Sequence, residues 1–327
     1  MAGVDEKLLS QYRALNERAG VVELSGRSLI EIRGADRAAF LHNFCTNDVK
    51  RLQPGQGCEA FFTNHQGKTV GHGWIFADEQ SLLLETTPGQ AAGVIVHLDR
   101  FVISERVEFQ DRSSDWTEVL VGGPQAGELL KSLTGGSVPE AMLAHQATSI
   151  AGQPAVVRRV GFTIPPAWLV QVEASAAGAI VEALRAAGGE VVDTDVFDMC
   201  RLEAGWPMFG QDITEQNLPQ EIDRNDQAIS FKKGCYLGQE TVARLDALGH
   251  VNWLLVGLTV ESADRPVAGA KLTLDDKEVG QVKSANWSPR LNQWLALALV
   301  RRTAAKPGTA LKADPGTAHV AKLPAAN

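Results

Sequence analysis

A cysteine behind two lysines and a glycine is the most chemically pointed feature of the sequence. The run is Lys232-Lys233-Gly234-Cys235-Tyr236-Leu237-Gly238-Gln239-Glu240. Cations beside a thiol favour its thiolate form, which is the nucleophile and the metal ligand. Two adjacent lysines cannot both turn toward one sulfur, so Lys233 is expected to be the one near it. Gly234 and Gly238 permit a bent backbone and a close approach. Gln239 and Glu240 follow with an amide and a carboxylate. Gln239–Leu245 has helical spacing, and a helix N-terminus there would also favour a thiolate. The bland alternative is a glycine-bounded turn that opens a helix, with Cys235 as filler. Cys45, Cys58 and Cys200 lie in or beside apolar stretches, where burial works against ionisation. Cys235 is therefore expected to be the most reactive of the four thiols. With no CxxC pair, the four read as reduced cysteines rather than a disulfide scaffold.

Three weaker patterns lead nowhere. Gly67-Lys68-Thr69 mimics the end of a phosphate-binding loop, but Phe62 stands where that loop needs a glycine. Gly55-Gln56-Gly57-Cys58-Glu59-Ala60 follows a proline turn without a parallel βαβ pattern around it. His65 and His72 share a hairpin but lack converging partners, so they read as surface or strand histidines and no metal site is expected.

The elements that must carry these residues fall into three groups. Val4–Ala19 is a helix closed by Gly20, and Val21–Leu24 with Leu29–Ile32 reads as a strand pair around Ser25-Gly26. A short helix follows from Asp36, placed near its N-cap. Glu59–Thr63, Lys68–Ala77 and Ser81–Thr86 are strands, and Pro88–Arg100 is a helix. A similar cycle starts at Val107–Asp111 and runs through strands at Trp116–Gly122, Gln153–Val160 and Trp168–Val172, with helices at Pro124–Leu133 and Ala174–Ala187. Strand–helix–strand–strand–helix order thus appears about twice, which suggests two related α+β modules. Beyond Gly249 only alternating or apolar runs remain, such as Val251–Val260, Ala270–Leu274, Glu278–Ala285 and Trp294–Val300. They read as a small antiparallel barrel or sandwich. Residues 315–327 are expected to fray. The divisions are 1–115, 116–250 and 251–327.

Composition narrows the function. Apolar residues make up 44% and charged residues 21% of 327, which is ordinary globular usage. A net charge of −8 argues against an extended nucleic-acid surface. No apolar run approaches the ~20 residues of a membrane span, and no secretory start is visible, so the cytosol is expected.

The cysteine run resembles a known family. Lys233 to Glu240 carries all seven defined positions of K-G-C-Y-x-G-Q-E, the signature of the YgfZ-type proteins. These are folate-binding proteins implicated in maturing iron–sulfur enzymes, including tRNA-modifying ones. They form a branch of the superfamily of the glycine-cleavage T-protein, an aminomethyltransferase. Arg201-Leu202-Glu203-Ala204-Gly205-Trp206-Pro207, Gln211-Asp212-Ile213 and Pro219-Gln220-Glu221 are similar to a segment both branches share. Phe40-Leu41 with Thr46-Asn47-Asp48-Val49 resembles the family's N-terminal helix and turn. Gly280, Ser284 and Ser288-Pro289 resemble its C-terminal barrel. The likeness spans about residues 20 to 300.

The resemblance implies an α+β fold of two ferredoxin-like modules around a central cavity, plus a C-terminal antiparallel β-barrel. It implies tetrahydrofolate or a related folate as cofactor, and iron–sulfur client enzymes or assembly proteins as partners. Cys235 and Lys233 would then form the working site. Arg201, Glu203, Trp206, Gln239 and Glu240 are the candidates for the folate pocket. A carboxylate can accept two pterin N–H groups at once, and an arginine can bind the anionic glutamyl tail. Arg201 and Glu203 share a face if extended but diverge by roughly 200° if helical. Otherwise they form a surface ion pair. Trp206 lines the cavity or simply packs.

Two departures matter. Aligned on Gly67, Val70 and Gly71 stand where aminomethyltransferases carry an Asp-Asp pair. Gly161-Phe162-Thr163 continues into Ile164-Pro165, where that branch has a pterin-binding glutamate. These departures point to an accessory factor for iron–sulfur proteins. The alternative is a tetrahydrofolate-dependent one-carbon (aminomethyl) transferase or demethylase.

Overall fold

The computed structural model describes residues 5–314 and 316–325. The chain opens with α1 (Glu6–Glu17), whose N-cap Asp5 accepts a hydrogen bond from the Lys7 amide. It continues through β1 (Gly20–Glu23), β2 (Ser28–Arg33), α2 (Arg37–His42), β3 (Gln56–Thr63), β4 (Thr69–Ala77), β5 (Ser81–Thr86), α3 (Ala91–Asp99) and β6 (Glu108–Asp111). The second cycle is β7 (Trp116–Gly122), α4 (Ala126–Leu133), β8 (His145–Ile150), β9 (Gln153–Val160), β10 (Ala167–Glu173), α5 (Ala177–Ala186) and β11 (Glu190–Val191). Helices α6 (Thr194–Ala204), α7 (Asn225–Ala228) and α8 (Gln239–Leu248) lead to β12 (Trp253–Glu261), β13 (Lys271–Leu274), β14 (Lys277–Ser288), β15 (Gln293–Arg301), β16 (Ala310–Ala313) and β17 (Thr317–Ala321).

These elements build an α+β body and a barrel. One sheet has the order β3-β4-β5-β2-β6, the other β11-β1-β7-β10-β9-β8, and the last six strands close into an antiparallel barrel. Each cycle is strand–helix–three strands–helix–strand, and the two sheets list their equivalent strands in the same order. The difference is β1, wedged between β7 and β11. That placement corrects two expectations. Val21–Leu24 and Leu29–Ile32 do not pair, because β1 joins the second sheet and β2 the first. The first module therefore does not contain all of residues 1–115. Asp36 also fails as a side-chain cap; its carboxylate accepts instead from the Arg106 amide at 2.9 Å. Thr317–Ala321, expected to fray, pairs with β12 and β16 to complete the barrel; Pro315, Ala326 and Asn327 lie outside the described residues.

Alternation along the strands explains the layering. Trp74 and Phe76 on β4 turn into a core shared by both sheets, while Ile75 and Ala77 turn the other way, toward α2 and α3. On β10, Leu169 joins the shared core and Trp168, Val170 and Val172 pack under α4 and α5. The shared core holds one polar island. Arg27 bonds Glu85 and lies 3.6 Å from Glu118; Arg158 donates to Glu118 at 3.0 Å and also bonds Gln171. All five are buried. The two guanidinium groups sit over aromatic faces, Arg27 on Phe162 and Arg158 on Phe76, each at 4.9 Å. Among the described residues, no helix is long and apolar enough to cross a membrane.

Candidate functional site

Where the two modules meet the barrel, the structure encloses a cavity of about 890 Å³. That is within the range of small-molecule pockets. Helix α6 ends at Gly205, whose φ of 74° makes the left-handed turn that terminates a helix. The turn throws Trp206 onto the cavity wall, where its ring lies 4.5 Å from that of Trp74 and 5.4 Å from the His72 imidazole.

The polar end of the cavity is built on β3 and the segment after it in space. Glu59, buried on β3, receives Arg224 as a two-pronged pair, with Nη2 2.6 Å from Oε2 and Nε bonded to Oε1. His72 Nε2 lies 2.8 Å from the same Oε1. The Arg224 guanidinium is stacked 4.6 Å over Trp206. Burial pushes the Glu59 carboxyl up, but hydrogen bonds from Arg224 and His72 outweigh it and hold it at about 2. Asp223, with φ 59°, and Gln227 line the wall beside Arg224. Partial burial, then the nearby Asp226 charge, raise the Asp223 carboxyl. The cavity thus offers a wall of two indoles packed on each other, an arginine already oriented by a carboxylate, and a carboxylate and an amide beside it. Cys58 and Lys322 complete its polar lining.

Of the residues singled out from sequence, Trp206 lines this cavity. Arg201 and Glu203 do not; α6 is helical, so they diverge. Arg201 is fully buried and bonds Asp198 and Asp212, each at 2.7 Å. Glu203 accepts from Tyr12 at 2.7 Å, Ser288 at 2.6 Å, and the Arg290 amide and Nε at 3.3 and 3.4 Å. Asp212 also takes the Ser284 hydroxyl. The segment therefore bolts the barrel strand β14 onto α6 and α1 instead of presenting charge to a ligand. Gln239 accepts from the Tyr236 amide at 3.3 Å, and Glu240 is exposed; neither lines the cavity. Val70 and Gly71 lie off it as well, while Gly161 lines it without a carboxylate.

Lys233 is corrected too. Its Nζ donates to the carbonyls of His42, Cys45 and Asn47, the last two at 2.6 and 2.9 Å, and sits 4.9 Å from the Tyr236 ring. It anchors the loop to the end of α2 rather than serving the Cys235 sulfur. Replacing Lys233 with methionine leaves the His42 and Cys45 carbonyls short of a donor, and we expect a loss of about 1–3 kcal/mol in urea unfolding. An unchanged midpoint would contradict this. Cys235 itself is exposed, whereas Cys45 and Cys200 are buried and Cys58 is half-buried. Burial pushes the thiols of all three upward.

Sequence reasoning missed Glu59 and Arg224 and took His72 only as a strand histidine. The available signal was a charged residue, Glu59, inside an otherwise apolar strand, which demands a buried partner.

The fold and this cavity define a class of protein, and comparison with known proteins agrees. The chain matches the GCVT N-terminal domain over residues 2–233 and the glycine cleavage T-protein C-terminal barrel domain over residues 254–325. It belongs to the glycine-cleavage T-protein family. It is 29% identical over 303 residues to an aminomethyltransferase of Synechococcus elongatus, covering 90% of this chain and 80% of that one. It is 27% identical over 296 residues to a chloroplastic protein of Arabidopsis thaliana classed by name with the transferases; the match covers 88% of this chain and 66% of that protein. The crystal structure of glycine cleavage system aminomethyltransferase T from Bartonella henselae superposes with a TM-score of 0.85 at 21% identity, over 97% of this chain and 89% of that one, which establishes the common fold.

Proposed function

We propose that this chain is a folate-binding protein of the YgfZ type that acts in the assembly or repair of iron–sulfur proteins, with Cys235 as its working thiol. The observation that carries the reading is the exposed Cys235 in a K-G-C-Y-x-G-Q-E loop that Lys233 pins to α2. Iron–sulfur client enzymes or assembly proteins, tRNA-modifying ones among them, are the partners this reading supplies. A thiol presented to solvent suits exchange with a partner better than chemistry inside the cavity.

The cavity residues fit a reduced folate. Trp206, Trp74 and Met142 give the wall apolar surface for a flat heterocycle, Asp223 and Gln227 offer acceptors, and Arg224 and Lys322 offer positive charge for an anionic tail. Tetrahydrofolate, when bound, supplies a nitrogen that can carry one-carbon units. We expect Arg224→Ala to weaken tetrahydrofolate binding at least tenfold by calorimetry, about 1.4 kcal/mol, and Cys235→Ala to leave it unchanged. Equal affinities for wild type and Arg224→Ala would remove the pocket assignment.

A second reading, a tetrahydrofolate-dependent aminomethyl transferase or demethylase, is favoured by the names of the relatives above. The deciding experiment is a deletion strain assayed for several iron–sulfur enzymes and for glycine cleavage, rescued by wild type or Cys235→Ala. Lost iron–sulfur activities that return only with Cys235 intact support the first reading. Lost glycine cleavage with iron–sulfur activities untouched supports the second.

A further inference from the structure

Cys235 sits in a basic setting on an acidic protein. Lys232, Lys50 and Arg51 are exposed, and Phe231 beside them is 46% exposed. The charges of Lys50 and Arg51 are felt at His42, and that of Lys50 at Lys233, so the cations gather around the anchored loop. His42 is the buried member of this group, only 6% exposed. Its Nδ1 lies 3.3 Å from Asp48 Oδ1. Its Nε2 faces the loop one residue before the thiol: a Cβ built on Gly234 would stand 3.9 Å from it. No hydrogen bond to Nε2 is made among the described residues, and the missing Gly234 side chain leaves that nitrogen open. Burial, then the Lys233 charge, keep the imidazole in its neutral, proton-accepting form near neutral pH.

We propose that Cys235 and His42 form a thiol-exchange site for small anionic disulfides, with Lys50, Arg51 and Lys232 selecting the negative charge. The proposal rests on the reading of Cys235 as the working thiol and names its substrate class. In the exchange, His42 Nε2 takes the Cys235 proton. The thiolate attacks one sulfur of the disulfide; a new S–S bond to Cys235 forms as the old one breaks. The departing thiolate recovers the proton from the imidazolium. One disulfide replaces another, so no oxidant or reductant is needed. Asp48 acts through its charge: its carboxylate, 3.3 Å from Nδ1, favours the imidazolium once Nε2 has taken the proton.

The test is the exchange rate of the intact protein at neutral pH with two probes, dianionic 5,5′-dithiobis(2-nitrobenzoate) and neutral 4,4′-dithiodipyridine, with N-acetylcysteine amide as reference thiol. Cys235→Ser identifies the phase that belongs to Cys235. We expect the protein to prefer the anionic probe about tenfold more than the reference does at low salt, and the preference to collapse in high salt. Reversing the three cations (Lys50→Glu, Arg51→Glu, Lys232→Glu) should abolish it. His42→Gln, checked for folding by circular dichroism, should slow both probes about tenfold and flatten the pH dependence. A preference equal to the reference and insensitive to salt overturns the substrate class. A folded His42→Gln variant that reacts at the wild-type rate overturns the role of His42; if that variant does not fold, the salt and charge-reversal arms decide. The kinetics require no iron–sulfur client. Failed rescue logic in the deletion strain with intact exchange kinetics would therefore remove the proposed function alone.

Discussion

Glu118→Ala will cost the protein about 3–5 kcal/mol of stability, because it leaves buried cations between the two sheets without their shared carboxylate. Arg158 donates to Glu118 at 3.0 Å and Arg27 lies 3.6 Å from it, and both arginines are buried. The same island makes stability depend on pH in an unusual direction. Burial, then the neighbouring Glu85 charge, push the Glu118 carboxyl up to about 7, against the pull of Arg158 and Arg27. A carboxyl whose pKa is higher folded than unfolded binds its proton more tightly in the folded state. Its contribution is full below the ordinary carboxyl value of 4.5 and is lost as pH rises toward about 7. The lowered His97 imidazole, at about 4, acts in the opposite sense over the same window, so the comparison isolates Glu118: in urea unfolding, Glu118→Gln should gain stability relative to wild type as pH rises across it. A Glu118→Ala variant within about 1 kcal/mol of wild type would mean that the island contributes little.

Glu203→Ala should be nearly as damaging, again about 3–5 kcal/mol, while leaving tetrahydrofolate affinity intact in the folded fraction. The carboxylate joins α1 through Tyr12 and the barrel through Ser288 and Arg290. Its loss would loosen three parts of the molecule at once. Chemical denaturation and calorimetry on the same preparation separate the outcomes. A variant of wild-type stability that no longer binds folate would return Glu203 to the pocket, where the sequence alone had suggested it.

The contrast between these residues and the cavity wall marks what the sequence can express. Gly238 was legible as a bend: its φ is 82°, and a side chain there would strike the Asn64 carbonyl at 2.4 Å. The barrel was legible because its strands follow one another with turns between them. The shared segment with Arg201, Glu203 and Asp212 was legible as a unit but not in its role. A helical turn sends its charges to different partners, and those partners, Ser284 and Ser288, lie far along the chain. Glu59, His72 and Arg224 come together only because β3 pairs with β4 and the chain returns across 165 positions. No local spacing encodes such a meeting. Lys233 was misplaced for a related reason. Adjacency to Cys235 suggested one destination, whereas carbonyls at the end of α2 and in the turn after it, those of His42, Cys45 and Asn47, provided a stronger one.

The wedged strand β1 also constrains how the chain is made. Its neighbours are β7, paired from Gly20 to Gly122, and β11, paired from Gly20 to Glu190. While a ribosome is still adding the first module, β1 has emerged but both of its edges are bare. It stays so until residues 116–122 follow, and its second edge is covered only after residues 190–191 have been synthesised. Contacts this distant in sequence form slowly, and an uncovered strand can pair with another chain in the meantime. A fragment ending near residue 115 would carry that exposed strand permanently, so co-translational folding should begin with the sheet built on β2 and complete the second sheet last.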